Sequence, residues 1–179
     1  MAMKVRRIDS NVDKLAYVLN QMGQASAKVI EFYYYTFKAQ KLNHPVTSYD
    51  KLRVSNHTLY LLRDTSVKNV IIGILKVGKK VLFLFDNNGI CHENEQFCVL
   101  DFYVHESLQR RGHGRTLFEF MLKHQGVTPK DLAIDSPSSN FLSFLKKHYQ
   151  LDVLIKQNNF VLFGYSFFAH PMVKLSFFR

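Results

Sequence analysis

The pattern of apolar and polar positions predicts one long helix near the start of the chain. Apolar residues within 12–22 recur at helical spacing, and a polar residue at positions 9–11 can cap that helix. The next stretch, 29–37, is crowded with aromatic residues and fits neither an amphipathic helix nor a clean alternating strand. The helical periodicity therefore ends in an irregular aromatic insert.

Beyond the insert, runs of branched and aromatic side chains predict strands. These predicted strands cover residues 58–62, 70–77, 81–85, 97–104, 132–135 and 159–164. Gly78-Lys79-Lys80 predicts a tight turn between the second and third strands, residues 86–89 close the third, and 92–96 form a polar loop. One helix is predicted at 113–124. A second is predicted to begin at Ser136-Pro137, because proline suits the first helical position. The order predicts an α/β (α+β) fold, a mixed β-sheet flanked by helices.

Composition narrows the class of protein. The 179 residues suit a single domain, and the 47% hydrophobic content excludes general disorder. No apolar run approaches the roughly 20 residues of a membrane span, and no secretory signal is visible, so we expect a cytosolic protein. Two cysteines and scattered histidines give no metal-ligand spacing, so we expect no metal. The net charge of +10 favours anionic partners.

The junction between the fourth predicted strand and the next helix carries the most specific pattern, Gln109-x-x-Gly112-x-Gly114. The first N–H groups of a helix are unpaired and partly positive, and glycines let a phosphate approach the backbone. Arginines at 110, 111 and 115 add positive charge. The pattern is neither a Walker A loop nor the dinucleotide-binding fingerprint. It indicates a pyrophosphate cradle, and the alternative is an ordinary glycine turn beside solvated arginines.

The same pattern resembles the acyl-CoA-binding motif of the GCN5-related N-acetyltransferase superfamily. Longer stretches are similar to the α-tubulin N-acetyltransferases: CVLDFYVHESLQRRGHGR at 98–115, LAIDSPS at 132–138, KHY at 147–149, NNF at 158–160 and FFAH at 167–170. The resemblance covers most of the chain from about residue 38 onward. It implies a single acetyltransferase domain over 1–179, with an atypical N-terminal part at 1–37 and a C-terminal tail at 165–179.

The resemblance implies acetyl-CoA as co-substrate, held by the glycine loop, the strand before it and the following helices. The implied cofactor-binding residues are Phe102, Tyr103, Val104, His105, Gln109, Arg110, Arg111, Gly112, His113, Gly114, Arg115, Ser138 and Lys147. It also implies that the acceptor is a lysine on a luminal loop of α-tubulin in microtubules, and that the protein is a monomer of the cytoplasm and cytoskeleton, including cilia. No nucleic acid or membrane partner is expected.

The chemistry requires a neutral amine, because a free lysine has a pKa near ~10.4 and is protonated at neutral pH. The family's functional side chains match Cys98, Asp135 and Gln40. Asp135 can accept the proton or hold the ammonium, Cys98 can assist as base or shape the site, and Gln40 can position the acceptor. Direct transfer in a ternary complex is the superfamily's usual route, and an acetyl-cysteine route is the alternative.

Three further residues, Lys80, Asn159 and Phe160, match family positions beside the substrate groove. Each candidate also has a structural explanation. By itself Cys98 is more simply a small buried side chain, Asp135 a helix cap, Phe160 a core residue and Lys80 a solvated turn residue. The resemblance is what raises them to candidate site residues.

The chain departs from the family in three places. It begins almost at the first helix, which leaves open whether an edge strand is missing; residues 29–37 are inserted before Gln40; and Ser136 stands where a basic residue is common. Three alternatives to a tubulin acetyltransferase therefore stay open. They are a catalytically weak or inactive microtubule-binding module of the same fold, a basic nucleic-acid-binding domain, and an acetyltransferase with another acceptor.

Overall fold

The computed structural model describes residues 2–4, 12–34, 45–67, 70–157 and 159–163. Within these ranges seven strands form one sheet in the order β1-β2-β3-β4-β5-β7-β6. The strands are β1 Ala2–Lys4, β2 Thr58–Arg63, β3 Ile71–Phe85, β4 Cys91–Val104, β5 Ala133–Asp135, β6 Ile155–Gln157 and β7 Phe160–Leu162. The helices are α1 Val12–Tyr34, α2 Tyr49–Arg53, α3 His113–Gln125 and α4 Ser139–Tyr149. The predicted mixed sheet flanked by helices is confirmed.

One pair of neighbouring strands is parallel, and it creates an opening in the sheet. β4 and β5 pair only at Cys98 with Ala133 and at Val99 with Ile134, whereas the other neighbours are antiparallel. β4 then continues to Val104 with no described strand beside it on the β5 side. Backbone groups along this free edge need another partner.

The two faces of the sheet are covered by different helices. One face packs against α3 and α4 through the largest apolar cluster, and it is called here the α3–α4 face. Val77, Val99 and Ile134 belong to it, together with Phe118 of α3. The other face packs against α1 through Leu19 and is called the α1 face. Burial against helices on both sides fixes the central strands in register.

The predicted turn at Gly78-Lys79-Lys80 was wrong. β3 runs unbroken from Ile71 to Phe85, and Gly78 lies inside it opposite Cys98. A Cβ on Gly78 would lie 2.2 Å from Cδ2 of His57, so the glycine makes room for a ring rather than for a turn. The predicted polar loop at 92–96 was also wrong, since it belongs to β4. The turn at 86–89 is confirmed, with Gly89 at φ 77°.

The N-terminal part is more regular than expected. Residues 2–4 form a short edge strand on β2, so the strand that could have been missing is present. The aromatic stretch does not interrupt α1, which continues to Tyr34.

Two features in the C-terminal half also differ from the prediction. β6 was not predicted. Pro137 lies outside α4, because Ser138 caps this helix and the helix begins at Ser139.

A buried polar cluster ties α1 to the sheet. Oδ1 of Asp101 accepts a hydrogen bond from Ser26 of α1 at 2.5 Å, and Oδ2 accepts one from Thr47 at 2.6 Å. Lys76, the cross-strand partner of Asp101, donates to the carbonyl of Val46 at 3.1 Å.

The position of Asp101 depends on an irregularity in β4. Regular strand alternation from Cys98 predicts that Asp101 projects from the opposite face. An extra residue, Leu100, shifts the register of β4, so Asp101 lies on the same α1 face as Cys98. The polar cluster therefore lies on the α1 face, the same face of the sheet as the side chain of Cys98.

Candidate functional site

The glycine loop and the start of α3 form a cradle of backbone N–H groups. Gly112 precedes α3 with φ 86°, a left-handed conformation that glycine adopts without strain, and Arg110 adopts φ 63°. The first intrahelical bond runs from Thr116 to the carbonyl of Gly112, so the N–H groups of the first turn point out of the helix. The side-chain amide of Gln109 donates to the carbonyl of Val104 at 2.8 Å. This bond ties the loop to the end of β4.

Gly114 has a second role, because the loop passes close to the sheet there. A Cβ on Gly114 would lie 3.3 Å from Cζ of Phe102. The ring of Phe102 in turn contacts Phe141 of α4, with ring centroids 4.8 Å apart. The glycine therefore lets the first turn of α3 pack closely against the aromatic floor of the groove.

A groove of about 250 Å³ runs from this cradle along α4. Its lining residues are Phe102, Tyr103, Val104, Gln109, Arg110, Gly112, Gly114, Arg115, Ser138, Asn140, Phe141, Ser143, Phe144, Lys147 and His148. Ten of them belong to the predicted cofactor set, whereas His105, Arg111 and His113 of that set are not in the lining. That these residues bind acetyl-CoA stays a prediction.

Five lining residues on α4 were missed: Asn140, Phe141, Ser143, Phe144 and His148. Asn140, Ser143 and Phe144 lie seven, four and three residues before the predicted Lys147. Phe141 and Phe144 lie seven and four residues before His148. Residues at these spacings share one face of a helix. That periodicity is visible in the sequence. The helix begins with Ser138, whose hydroxyl accepts from the N–H of Phe141 at 3.2 Å.

The groove is positively charged. Arg110, Arg115 and Lys147 line it, and the described lining contains no acidic residue. Arg115 donates from Nε to the carboxylate of Glu119, one helical turn further along α3, at 2.7 Å. Cationic side chains, unpaired helix N–H groups and an aromatic wall suit a polyphosphate joined to a less polar arm. The free edge of β4 lies along the same groove.

A second group of side chains lies on the α1 face, where β3, β4, β5 and β7 meet. It comprises Lys80, Cys98, Asp135 and Phe160 and is called here the acceptor cluster. Nζ of Lys80 is 3.0 Å from Oδ2 of Asp135 and 5.1 Å from the centre of the Phe160 ring. Ser136, at φ 44°, donates its hydroxyl to Oδ1 of Asp135 at 3.0 Å.

Cys98 is fully buried within this cluster. Its thiol lies 3.4 Å from the carbonyl oxygen of Gln96, to which it donates. Burial raises the pKa of Cys98 to about 12, and the neighbouring charges of Lys80 and Asp135 act in opposite directions. The thiol is therefore protonated at neutral pH.

His57 was missed by the sequence interpretation. Its ring lies over Gly78, on the face that carries Cys98, and its Nδ1 is buried without a hydrogen-bond partner among the described residues. Burial lowers the pKa of His57, and the charges of Lys76 and Lys80 act in the same direction. The ring is therefore a neutral neighbour of the acceptor cluster. No sequence signal linked it to Cys98.

The sequence profile of a family described as "GNAT acetyltransferase, Mec-17" matches residues 1–176. The chain belongs to this Mec-17 family.

Curated relatives of the chain carry one name. It is 52% identical to an α-tubulin N-acetyltransferase of Trichoplax adhaerens over 88% of this chain and 66% of that protein. It is 48% identical to α-tubulin N-acetyltransferase 1 of Danio rerio over 88% of this chain and 51% of the relative. The chain thus spans between about half and two thirds of the length of these relatives.

Solved structures share the fold at low sequence identity. A point mutant of the BH1408 protein from Bacillus halodurans superposes with a TM-score of 0.54 at 13% identity, covering 88% of this chain and 96% of that one. A tetramutant of the same protein gives 0.53 at 14% identity, with the same coverage of both chains. This member of the Mec-17 family therefore has the fold of these proteins.

The remaining predicted site residues are placed unequally. Gln40 lies outside the described residues. Asn159 contributes its backbone carbonyl, which accepts from the N–H of Ser136 at 2.7 Å. This bond holds Asp135 at the end of β5, next to Phe160, its partner on β7. The described residues contain no cluster that could hold a metal and no helix long and apolar enough to cross a membrane.

Proposed function

We propose that this chain transfers the acetyl group of acetyl-CoA to a lysine of α-tubulin in microtubules. One observation carries the proposal: the glycine loop, the start of α3 and the free edge of β4 all border a single cationic groove. Membership of the Mec-17 family and the name shared by the relatives support the same reaction. The chemistry of the groove suits acetyl-CoA, whose pyrophosphate is anionic and whose arm carries amide groups.

Individual residues have distinct roles in this proposal. Backbone N–H groups around Gly112 and Gly114 and the side chains of Arg110 and Lys147 hold the phosphates. The edge of β4 between Val99 and Val104, which no described strand pairs, offers backbone hydrogen bonds to an extended amide-bearing arm. The bound co-substrate supplies an activated acetyl thioester.

The acceptor cluster prepares the lysine. Asp135, held by Lys80 and Ser136, accepts the proton of the acceptor ammonium or orients it. The amine nitrogen then forms the amide bond to the acetyl carbon as the carbon–sulfur bond breaks. CoA leaves as a thiol once a proton reaches its sulfur.

The state of Cys98 supports direct transfer within a ternary complex. A thiolate is the nucleophilic form of cysteine, and burial raises the pKa of Cys98 to about 12. Its lack of exposure also keeps it from an incoming thioester. We therefore assign Cys98 to shaping the cluster rather than to carrying an acetyl group.

The charge of the chain supports an acidic partner surface. Its net charge of +10 favours association with anionic assemblies such as microtubules, and the proposed location is the cytoskeleton. The single domain over residues 1–179 and a monomeric state belong to the same proposal.

The deciding experiment is transfer from labelled acetyl-CoA to assembled microtubules, with the modified residue mapped by mass spectrometry. We expect one α-tubulin lysine to be acetylated. A folded protein that binds acetyl-CoA and microtubules but transfers no label would instead favour an inactive binding module. Salt-sensitive binding to nucleic acid without any response to acetyl-CoA would favour the nucleic-acid alternative.

The route is tested by initial rates at varied concentrations of both substrates. Direct transfer predicts intersecting double-reciprocal lines and no acetyl-protein when acetyl-CoA is supplied alone. Parallel lines, together with acetyl-Cys98 detected by mass spectrometry, would establish the covalent route instead.

A further inference from the structure

Lys80 lies next to the carboxylate that would receive the acceptor lysine. Its Nζ is 3.0 Å from Oδ2 of Asp135, and the two side chains are 40% and 20% exposed. The ring of Phe160 packs under the same ammonium at 5.1 Å. A fixed positive charge therefore shares a half-buried site with the candidate proton acceptor.

The contact between Lys80 and Asp135 offsets an unfavourable effect of the carboxylate on the acceptor amine. A carboxylate with no other partner stabilises a neighbouring ammonium and raises its pKa, which opposes formation of the neutral amine. A cation close to both groups acts in the opposite direction, because like charges disfavour the protonated form. Lys80 bonds one oxygen of Asp135 while Ser136 bonds the other, so the carboxylate is already charge-compensated before an acceptor arrives.

The surroundings of Lys80 support an electrostatic role. The charged and titratable groups around it are Asp135 on β5, Cys98 on β4, Lys76 on β3 and His57 before β2. Burial makes the largest contribution to the shifted pKa values of Cys98, Lys76 and His57. The charge of Lys80 lowers the pKa of each of the three. Asp135 is the carboxylate in direct contact with its ammonium.

We propose that Lys80 promotes the reaction by placing a positive charge beside the acceptor amine, so that this amine loses its proton more readily. The proposal rests on the proposed acetyl transfer and assigns Lys80 a role beyond contact with the substrate. The proton leaves the acceptor nitrogen for Asp135 or solvent, and the freed lone pair forms the new amide bond.

The kinetic test is kcat, whose pH profile reports groups in the enzyme–substrate complex, from pH 6.5 to 10 for the wild type, Lys80→Met and Lys80→Arg. Loss of the Lys80 charge in Lys80→Met is expected to raise the apparent pKa at which the rate increases by about one unit. The rate at pH 7 should then be about tenfold lower than in the wild type. The deficit of Lys80→Met should vanish at high pH, and Lys80→Arg should retain the wild-type limb. Thermal unfolding of each variant checks that the fold is kept.

Lys79→Met is the matched control. Lys79 directly precedes Lys80 on β3 and projects from the opposite face of the sheet. Its Nζ pairs with the carboxylate of Glu95 at 2.8 Å. Its loss removes the same net charge and should leave the limb unchanged. If Lys80→Met instead leaves the pH profile of kcat unchanged and raises KM in a salt-dependent way, Lys80 only binds substrate and the proposal is overturned.

A second readout does not require turnover. A synthetic peptide of the luminal α-tubulin loop with a ¹³Cε-labelled lysine is titrated by NMR in complex with the protein and CoA. The lysine pKa should be lower in the wild-type and Lys80→Arg complexes than in Lys80→Met. An unshifted pKa in the wild-type complex overturns the inference even if transfer occurs. A shifted pKa in a protein that transfers nothing contradicts the proposed function and leaves the inference standing.

Discussion

The groove and the acceptor cluster are built in opposite ways. The cradle of the groove comes from one continuous segment, the end of β4, the glycine loop and the first turn of α3. The acceptor cluster takes one side chain from each of four strands, spanning Lys80 to Phe160. The first site depends on local backbone conformation, whereas the second depends on strand register.

The two sites also differ in the groups that carry their chemistry. In the groove, the backbone N–H groups at the start of α3 lie beside cationic and aromatic side chains. In the acceptor cluster, a half-buried ion pair between Lys80 and Asp135 lies beside a buried neutral thiol. One site is suited to holding an anion, and the other to controlling a proton. Variants that damage one site and spare the other should therefore separate binding from chemistry.

Asp135→Asn is expected to have the largest effect, confined to the acceptor cluster. Removing the proton acceptor should reduce kcat by about 100- to 10,000-fold, because general-base groups contribute that much. The Kd for acetyl-CoA, measured by calorimetry, should stay within about twofold because the groove does not include Asp135. Asp152→Asn, at an exposed position, is the matched control. A wild-type kcat in Asp135→Asn would remove Asp135 from the chemistry.

Gly114→Val is expected to produce the converse result. The added side chain would contact Phe102 and fill the approach to the loop, since even a Cβ there lies 3.3 Å from the ring. A loss of about 2 kcal/mol in binding corresponds to roughly a 30-fold weaker Kd for acetyl-CoA. The α-tubulin peptide should bind as before. Weakened peptide binding by the folded variant would mean that the two sites are not independent.

The different construction of the two sites explains how much could be predicted. The cradle is contiguous in sequence, so the glycine spacing and the arginines are enough to locate it. The α4 side of the groove was only partly found, through Ser138 and Lys147, although the helical spacing of Asn140 and Phe144 is visible in the sequence.

The acceptor cluster could not be assembled from spacing. Gly78 has the chemistry of a turn, and only the ring of His57 packed over it explains its place within β3. The face of Asp101 depends on one extra residue in β4, which strand alternation cannot reveal. The family resemblance pointed to Cys98 and Asp135, but their contacts with Lys80 arise from tertiary structure.

Thr47→Val tests the buried polar cluster around Asp101, which lies on the same face of the sheet as the acceptor cluster. It removes one of the two hydroxyl donors of Asp101 and should lower the free energy of unfolding by about 1–3 kcal/mol in urea denaturation. Thr65→Val, at an exposed position, is the control. Binding of acetyl-CoA to the folded protein should not change.

The penalty of Thr47→Val should also depend on pH. Burial raises the pKa of Asp101, and the Thr47 hydroxyl partly offsets that rise. Without this hydroxyl the folded-state pKa rises further, so the stability present at low pH is lost as the pH rises through it. The difference in unfolding free energy from wild type should therefore shrink toward pH 4. A penalty independent of pH would mean that the hydroxyl does not stabilise the ionised carboxylate.

Cys98→Ala is expected to have the smallest effect, although Cys98 lies at the centre of the acceptor cluster. The thiol is protonated below its pKa of about 12, so its removal takes away no base, and the rate should fall by less than about tenfold. The rising limb of the pH profile of kcat should stay in place, in contrast to Lys80→Met. Because the folded-state pKa of Cys98 is raised, its stabilising contribution is present below the ordinary cysteine pKa and lost as the pH approaches 12. Wild type should therefore lose stability relative to Cys98→Ala above about pH 9. A displaced limb or a loss of 100-fold or more would assign the proton transfer to Cys98 and leave Asp135 as its ion-pairing neighbour.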